Sequence, residues 1–418
     1  MEPGSAVTIP FALAFRGSPQ VRSGYNGRMD SLGSSNGIYL DHAATTEVDP
    51  AVLAVMDACY RENSGNPSSS HRAGLEAREE LEASRESILE ILGAASYDLV
   101  FTSGGTEADN LAIAGSILPG GTGMTRVLAG LTEHPAVLGS ADLVERLGGT
   151  FSTIPVDSDG RIGERELSSL ELGKTTLVSV MMANNETGTL QPVERICSLV
   201  REAGGLFHTD AAQAVGKIPL RLDSFKPDLV SLTAHKIYGP KGVGALLVRR
   251  GVSLFPLTRG GGQENGLRSG TENVSLAAGF AHAVKLAVEL QSREAQRLRE
   301  LRDALAGEIS SRFSEVTRNT PLEDTLPNIL NISFGGVEGS SLAKLLDEMD
   351  VAVSTASACH SGSGKGSHVL EAMGLEPALI RGAIRFSFGR SNSISQLPEL
   401  LSCLEKGVER LRQLAGTE

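Results

Sequence analysis

The sequence predicts an α/β protein: a mainly parallel seven-stranded sheet, followed by a smaller α+β unit. Three observations predict it. Between residues 99 and 248, seven short apolar segments alternate with stretches of helical periodicity, and strands separated by helices form parallel sheets covered on both faces. The residues capable of chemistry fall just after these apolar segments, where ligands of such sheets bind. Beyond a long charge-dense helical stretch, strands and helices resume in a shorter set.

Residues 1–35 stand apart, rich in Gly and Ser, with Arg16, Arg22 and Arg28 and a single acid, Glu2, before Asp30. That composition suits an organelle transit peptide and a disordered tail alike, and the lack of amphipathic periodicity favours the tail. From Ile38 the pattern is regular. Asp49-Pro50 is a cap followed by an N1 proline, starting a helix through about Glu62, and His71 to Leu92 is helical and charged. The seven strands are Leu99–Phe101, Arg126–Leu128, Phe151–Val156, Thr176–Met182, Leu206–His208, Leu229–Leu232 and Ala245–Val248. Asn273 to Phe313 reads as one long helix. Asn328–Phe334, a helix near 339–349, Ala383–Phe388 and a helix from about Ser395 complete the chain. The expected organisation is a large unit over 36–290 and a small one over 291–418, the latter including part of 36–60.

Composition narrows the function classes. At 418 residues the chain is long enough for two or three domains of about 150 residues each. With 21% charged and 40% hydrophobic residues it reads as a globular enzyme. A net charge of −12 argues against a nucleic-acid partner. No apolar run approaches the roughly 20 residues that span a bilayer, so a soluble, cytoplasmic protein is expected. Cys59, Cys197, Cys359 and Cys403 lie far apart and form no metal-ligand set.

The chemistry centres on Lys236, in Thr233-Ala-His-Lys-Ile-Tyr-Gly, directly after an apolar segment. A hydroxyl, an imidazole and an amine at a strand end can hold a phosphate beside a lysine that forms an imine. Such a cofactor, pyridoxal phosphate, also needs an acid for its ring nitrogen. Asp210 provides one at the preceding strand end, 26 residues upstream, with Gln213 facing the same way. Ser103-Gly-Gly-Thr-Glu-Ala-Asp109 passes from a strand through two glycines into a helix start, where backbone amides and the helix dipole bind phosphate; Gly105 and Thr106 are the expected contacts. Thr106 with Asp109 also reads as a capping box. His134 follows another strand and is placed to lie over the ring, and Asn184-Asn185-Glu186 offers amide donors for a ring hydroxyl or a substrate carboxylate.

Together these residues resemble the cysteine desulfurases of the class V aminotransferase group. The resemblance runs through ten segments in order: Tyr39–Thr46, Ser64–Ser69, Ser103–Asn110, Thr132–His134, Asn184–Gly188, Asp210–Gln213, Thr233–Gly242, Gly260–Glu264, Arg268–Thr271 and Ala383–Ser387. It implies a fold-type-I pyridoxal 5'-phosphate enzyme acting as a homodimer with shared sites. By resemblance Lys236 bonds the cofactor, Asp210 pairs the ring nitrogen, His134 stacks and moves protons, and Asn185 and Gln213 contact the ring oxygen. Gly105, Thr106, Thr233 and His235 hold the phosphate, with Thr271 reaching in from the second subunit. Arg385 clamps the substrate carboxylate, assisted by Asn66.

Cys359, in the glycine-rich run Ser354–His368, matches the family's nucleophile, and a loop of that composition is expected to be mobile. His360 and Lys365 are candidates to help ionise the thiol. The resemblance then implies L-cysteine as substrate, alanine as product, a persulfide on Cys359, and a sulfur acceptor such as an iron–sulfur scaffold or a thiolation protein. Two positions depart from the family: Asn265 stands where relatives commonly carry arginine, and Gly366 where many have proline, which is expected to loosen the loop. Ala358-Cys-His-Ser361 is also similar to selenocysteine lyases, so a lyase for selenocysteine, or another lyase or transaminase of this fold, is the alternative.

Overall fold

The computed structural model describes residues 37–118, 120–355 and 366–416; the N-terminal extension, and Cys359 with its neighbours His360 and Lys365, lie outside the described residues. The described chain opens with strand β1 (Ile38–Tyr39) and the helices Pro50–Glu62 and Arg72–Ile91. It then lays down β2 (Tyr97–Thr102), β3 (Arg126–Gly130), β4 (Thr150–Ile154), β5 (Thr176–Ser179), β6 (Leu206–Asp210), β7 (Leu229–Thr233) and β8 (Gly244–Arg249). These last seven form one sheet in the order β2-β8-β7-β6-β5-β3-β4. All neighbours run parallel except β8, which is antiparallel to both β2 and β7. The fold is the α/β, fold-type-I architecture that the sequence predicts.

The central strands are apolar because helices cover both sheet faces; every residue of Leu229–Thr233 is buried. Among the polar residues these strands also carry is His208, wholly buried in β6. Its ring spans Ser179 Oγ at 2.8 Å and Ser231 Oγ at 3.0 Å on the flanking strands, which satisfies a polar group that would otherwise be costly to bury. Burial lowers its pKa to about 3, so the ring is neutral.

Helix starts follow local chemistry. Asp49 accepts the Ala51 N–H at 2.8 Å with Pro50 at the first helical position, and Asn273 accepts the Leu276 N–H at 3.0 Å. The latter begins Val274–Arg312, a helix of 39 residues. Its first part, through Ala287, packs into the core of the large sheet, and from Leu298 onward it joins a second apolar core. That second core is built on β9 (Val316–Arg318), β10 (Ile329–Phe334), β11 (Val351–Ala352), β12 (Ser354–Thr355) and β13 (Ala383–Ser387), with helices Gly339–Asp347 and Leu397–Ala415. The antiparallel order is β12-β13-β10-β9, while β1 pairs parallel with β11. Ile38 and Leu40 are therefore buried in this second core, and Asp41 bridges to Ser387.

Two local expectations are corrected. Thr106 and Asp109 do not form a capping box: the helix starts at Gly105 with Gly104 as its cap, and Asp109 is turned into the interior at 1% exposure. The strand expected to end at Met182 ends at Ser179, because Asn184 ties residues 184–189 into a turn. Gly366 packs close to Ile380, where an added Cβ would lie 2.8 Å from its Cγ2, so a proline there would need Ile380 to move. Among the described residues no helix is long and apolar enough to cross a membrane.

Candidate active site

The carboxyl ends of β2, β3, β5, β6 and β7 open on one cavity of about 400 Å3. Ten of the residues expected from sequence line it: Gly105, Thr106, His134, Asn185, Asp210, Gln213, Thr233, His235, Lys236 and Arg385. Two expected residues do not. Thr271 lines a separate cavity beside Arg268, and Asn66 sits exposed in a turn, its Oδ1 accepting the Ser68 N–H at 2.9 Å.

Lys236 ends a short 3-10 turn, Ala234–Lys236, after β7. The segment after β1 passes in front of it, and the Lys236 amine donates to the Ala43 and Ala44 carbonyls at 2.6 and 2.5 Å. The turn is held by Thr46: its hydroxyl donates to the His235 carbonyl at 3.0 Å and accepts the Tyr238 N–H at 2.7 Å. His235 sits half-buried beside it, its Nδ1 3.3 Å from Thr45 Oγ1. Burial, with the charges of Lys236, Lys241 and Lys217, lowers its pKa to about 4.

Asp210 ends β6, where its Oδ1 accepts the Ala212 N–H at 2.8 Å. Burial raises its carboxyl, opposed by that N–H and by His134 and Lys236. Burial and the Asp210 charge push Asp109 well above the usual carboxylate range, opposed by the Ser231 hydroxyl. The proton of this close pair belongs on Asp109, and the charge on Asp210, which faces the cations. Burial likewise raises Glu133, whose Oε1 accepts the Met181 N–H at 2.6 Å. A wall of buried carboxyls thus presents one focused negative charge. His134 caps Pro135–Leu138, its Nδ1 accepting the Ala136 N–H at 3.1 Å, which leaves Nε2 as the ring nitrogen that carries a proton.

At the opposite end, Gly105 and Thr106 open the helix Gly105–Ile117, which has no side-chain cap. Its first acid, Glu107, is turned away, accepting the Ser103 N–H at 2.6 Å and Arg268 Nε at 2.9 Å. Thr233 Oγ1 is buried without a hydrogen-bond partner. An uncapped helix start facing an unpaired hydroxyl, with an imidazole and Lys241 nearby, is a cradle for an anion. Gly244 is required here: a Cβ would lie 2.8 Å from the Gly104 Cα. Glu264 anchors the following loop to β2, accepting the Phe101 N–H at 2.9 Å and pairing with Arg85 at 2.8 Å. Its neighbour Asn265 adopts φ 55°, a conformation asparagine tolerates.

Arg385, on β13, reaches the cavity from the second core. Its guanidinium donates to the Asn185 carbonyl at 3.0 Å and to Asp41 Oδ1 at 2.6 Å, leaving a buried Nε unpartnered. Asn184, beside Asn185, is spent on structure: its amide donates to the Thr132 carbonyl at 3.0 Å while its oxygen accepts the turn's N–H groups. Sequence reasoning missed the carbonyls of Ala43 and Ala44 and the buried acids Asp109 and Glu133. Main-chain acceptors leave no side-chain signature, and Asp109 was masked by its resemblance to a cap.

A family model for class-V aminotransferases matches residues 38–400. A cysteine desulfurase, IscS, from Dictyoglomus turgidum is 42% identical over 90% of this chain and 96% of its own. A probable mitochondrial cysteine desulfurase from Dictyostelium discoideum is 40% identical over 92% of this chain and 85% of its own. Among solved structures, a NifS-like protein at 38% identity superposes with a TM-score of 0.82 over 90% of this chain and 99% of its own. SspA, solved in complex with cysteine, is 33% identical with a TM-score of 0.72 over 84% of this chain and 98% of its own.

Proposed function

The chain belongs to the class-V aminotransferase family, and from that premise we propose that it is a homodimeric cysteine desulfurase, dependent on pyridoxal 5'-phosphate, that converts L-cysteine to L-alanine and passes the sulfur to an acceptor protein. The observation that carries this reading is the convergence of Lys236, Asp210, His134 and Arg385 on a single cavity with an anion cradle at its far end. When bound, the cofactor supplies a carbonyl carbon that amines capture and a ring that withdraws electrons from the substrate.

The unpaired Thr233 hydroxyl and the uncapped helix start fit its phosphate; Gly105, Thr106, Thr233 and His235 would hold it, with Thr271 supplied by the partner subunit. Asp210 would pair the ring nitrogen, His134 would cover a ring face, and Asn185 and Gln213 would meet the ring oxygen. Arg385 orients the substrate by its carboxylate, a bidentate task that suits the guanidinium. The Lys236 amine would be the base that takes the α-proton of the bound substrate. The Cys359 thiolate would then attack the substrate sulfur: an S–S bond forms as the Cβ–S bond breaks, its electron pair stays on the β-carbon and takes up one proton, and return of a second proton to the α-carbon from Lys236 completes alanine. Cys359 is left as a persulfide. The acceptor is an iron–sulfur scaffold or a thiolation protein.

The test is incubation of the purified protein with L-cysteine, with assay of alanine and mass spectrometry of the peptide holding Cys359. Alanine release with extra sulfur on that peptide is expected. Amino-group transfer to a second keto acid, without added sulfur, would replace this reading by a transaminase.

A further inference from the structure

Lys236 also lines a second small cavity, which Asp210 does not line, between the long helix and the second core. Lys217 lines it together with Lys236, and the function proposed above gives Lys217 nothing to do. Its placement is nonetheless specific. Gln213 and Lys217 are four residues apart on the turns that follow β6, and their side chains meet. Gly216 makes the approach to the long helix possible: it has φ 69°, and a Cβ would lie 2.5 Å from Ala287 Cβ. Gln291 on that helix donates to the Lys217 carbonyl at 3.3 Å, fixing the backbone.

From that anchor the Lys217 amine turns back to the site. It donates to Gln213 Oε1 at 3.3 Å and to the Lys236 main-chain carbonyl at 3.4 Å. Gln213 Nε2 in turn donates to the Ala43 carbonyl at 3.0 Å, the acceptor that Lys236 Nζ also uses. The four groups close a ring of hydrogen bonds. An ammonium only donates and a carbonyl only accepts, so the ring fixes the Gln213 amide: its oxygen points back to Lys217, and its NH2 has one proton left for the cavity.

We propose that Lys217 is a positioning residue of this site, holding the Gln213 amide with its NH2 toward the cavity and bracing the turn that carries Lys236. This rests on the proposed desulfurase reading, since it is the cofactor's ring oxygen that would receive the Gln213 donor. Burial, reinforced by the charge of Lys236, lowers the Lys217 amine to about 7, as two amines sharing one neighbourhood should show.

The test compares the holoenzyme of the parent with Lys217→Met and Lys217→Arg. Folding is checked by circular dichroism; the readouts are the visible absorbance maximum, the dissociation constant of pyridoxal 5'-phosphate, and kcat and KM for cysteine. Lys217→Met is expected to displace the absorbance band, weaken cofactor binding about tenfold, and lower kcat while KM stays within about threefold. Lys217→Arg, which keeps the donor, should restore the band. A Lys217→Met protein with the parental band and cofactor affinity would overturn the proposal, as would a Lys217→Arg protein no closer to the parent than Lys217→Met. Should Lys217→Met fail to fold, the Lys217→Gln protein is compared in parental and Gln213→Leu backgrounds. The proposal requires its spectral effect to vanish once the Gln213 amide is gone, and an undiminished effect overturns it. A parent that binds cofactor but releases no alanine would overturn the proposed activity instead, and the band comparison would still decide the role of Lys217.

Discussion

Arg385 Nη2 lies 2.6 Å from Asp41 Oδ1, so the strand that brings the candidate carboxylate clamp to the cavity is tied to the segment that passes over Lys236. The guanidinium is 5% exposed and its partner 23%. A substrate carboxylate entering here meets an arginine already charge-paired on one side, with a buried Nε still unpartnered. Recognition is then an exchange or sharing of partners, with no charge left bare.

Arg385→Ala is therefore expected to raise the KM for cysteine by about tenfold or more, a charge-assisted hydrogen bond contributing on the order of 1.5 to 3 kcal/mol. Arg385→Lys should fall between, because it keeps the charge and loses the planar fork. Cofactor content should be unchanged in both. Steady-state kinetics with a parental KM in Arg385→Ala would remove the residue from substrate binding.

Lys236→Ala should lose the visible absorbance of the bound cofactor. Lys217 is a competing amine close by, but it lines the second cavity and is bonded to Gln213 and the Lys236 carbonyl. An absorbance spectrum identical to the parent's would show that another amine carries the bond.

The seven strands and the convergence of their ends were legible in the sequence because apolar segments, turn glycines and helix starts agree. Lys236, Asp210 and His134 could be read as site residues because each follows an apolar segment directly. Other features were not legible in this way, for physical reasons. Arg385 was legible only through the family resemblance, since it lies within a buried strand and comes close to Asn185 through the packing of two cores. The Ala43 and Ala44 carbonyls act through the main chain, which carries no side-chain signal. Asp109, at a helix start, has the composition of a cap, and tertiary burial overrides that local preference.

Glu186 gives the fold a pH dependence. Its Oε2 accepts the Ser367 hydroxyl at 2.5 Å, and Ser367 caps the helix His368–Ala372. Burial raises Glu186 to about 7, opposed by the Ser367 hydroxyl and by Arg385. A carboxyl whose folded pKa exceeds its unfolded value binds its proton more tightly in the folded state. Its stabilising contribution is thus complete below pH 4.5 and lost as pH rises through about 7. Over that window the loss is on the order of 3 kcal/mol. Glu186→Gln, neutral throughout, should lack this component, so the stability difference between parent and variant should change across the window. Urea unfolding at several pH values measures it; parallel profiles would contradict the assignment.

The last prediction separates carbon chemistry from sulfur chemistry. Removal of the α-proton is assigned to Lys236, whereas cleavage of the Cβ–S bond is assigned to the Cys359 thiolate. Cys359→Ser should therefore bind cofactor with the parental spectrum and still change that spectrum on addition of cysteine. It should release alanine from cysteine at a small fraction of the parental rate, because a hydroxyl is far less acidic than a thiol and the ionised sulfur is the working nucleophile. Selenocysteine sharpens the comparison: its weaker carbon–selenium bond should break without the thiolate, so the same variant should keep a larger share of parental activity toward it. The assay is alanine release from both substrates under matched conditions. Equal turnover of cysteine by Cys359→Ser and the parent would end the persulfide mechanism, since no sulfur acceptor would then be needed at this position.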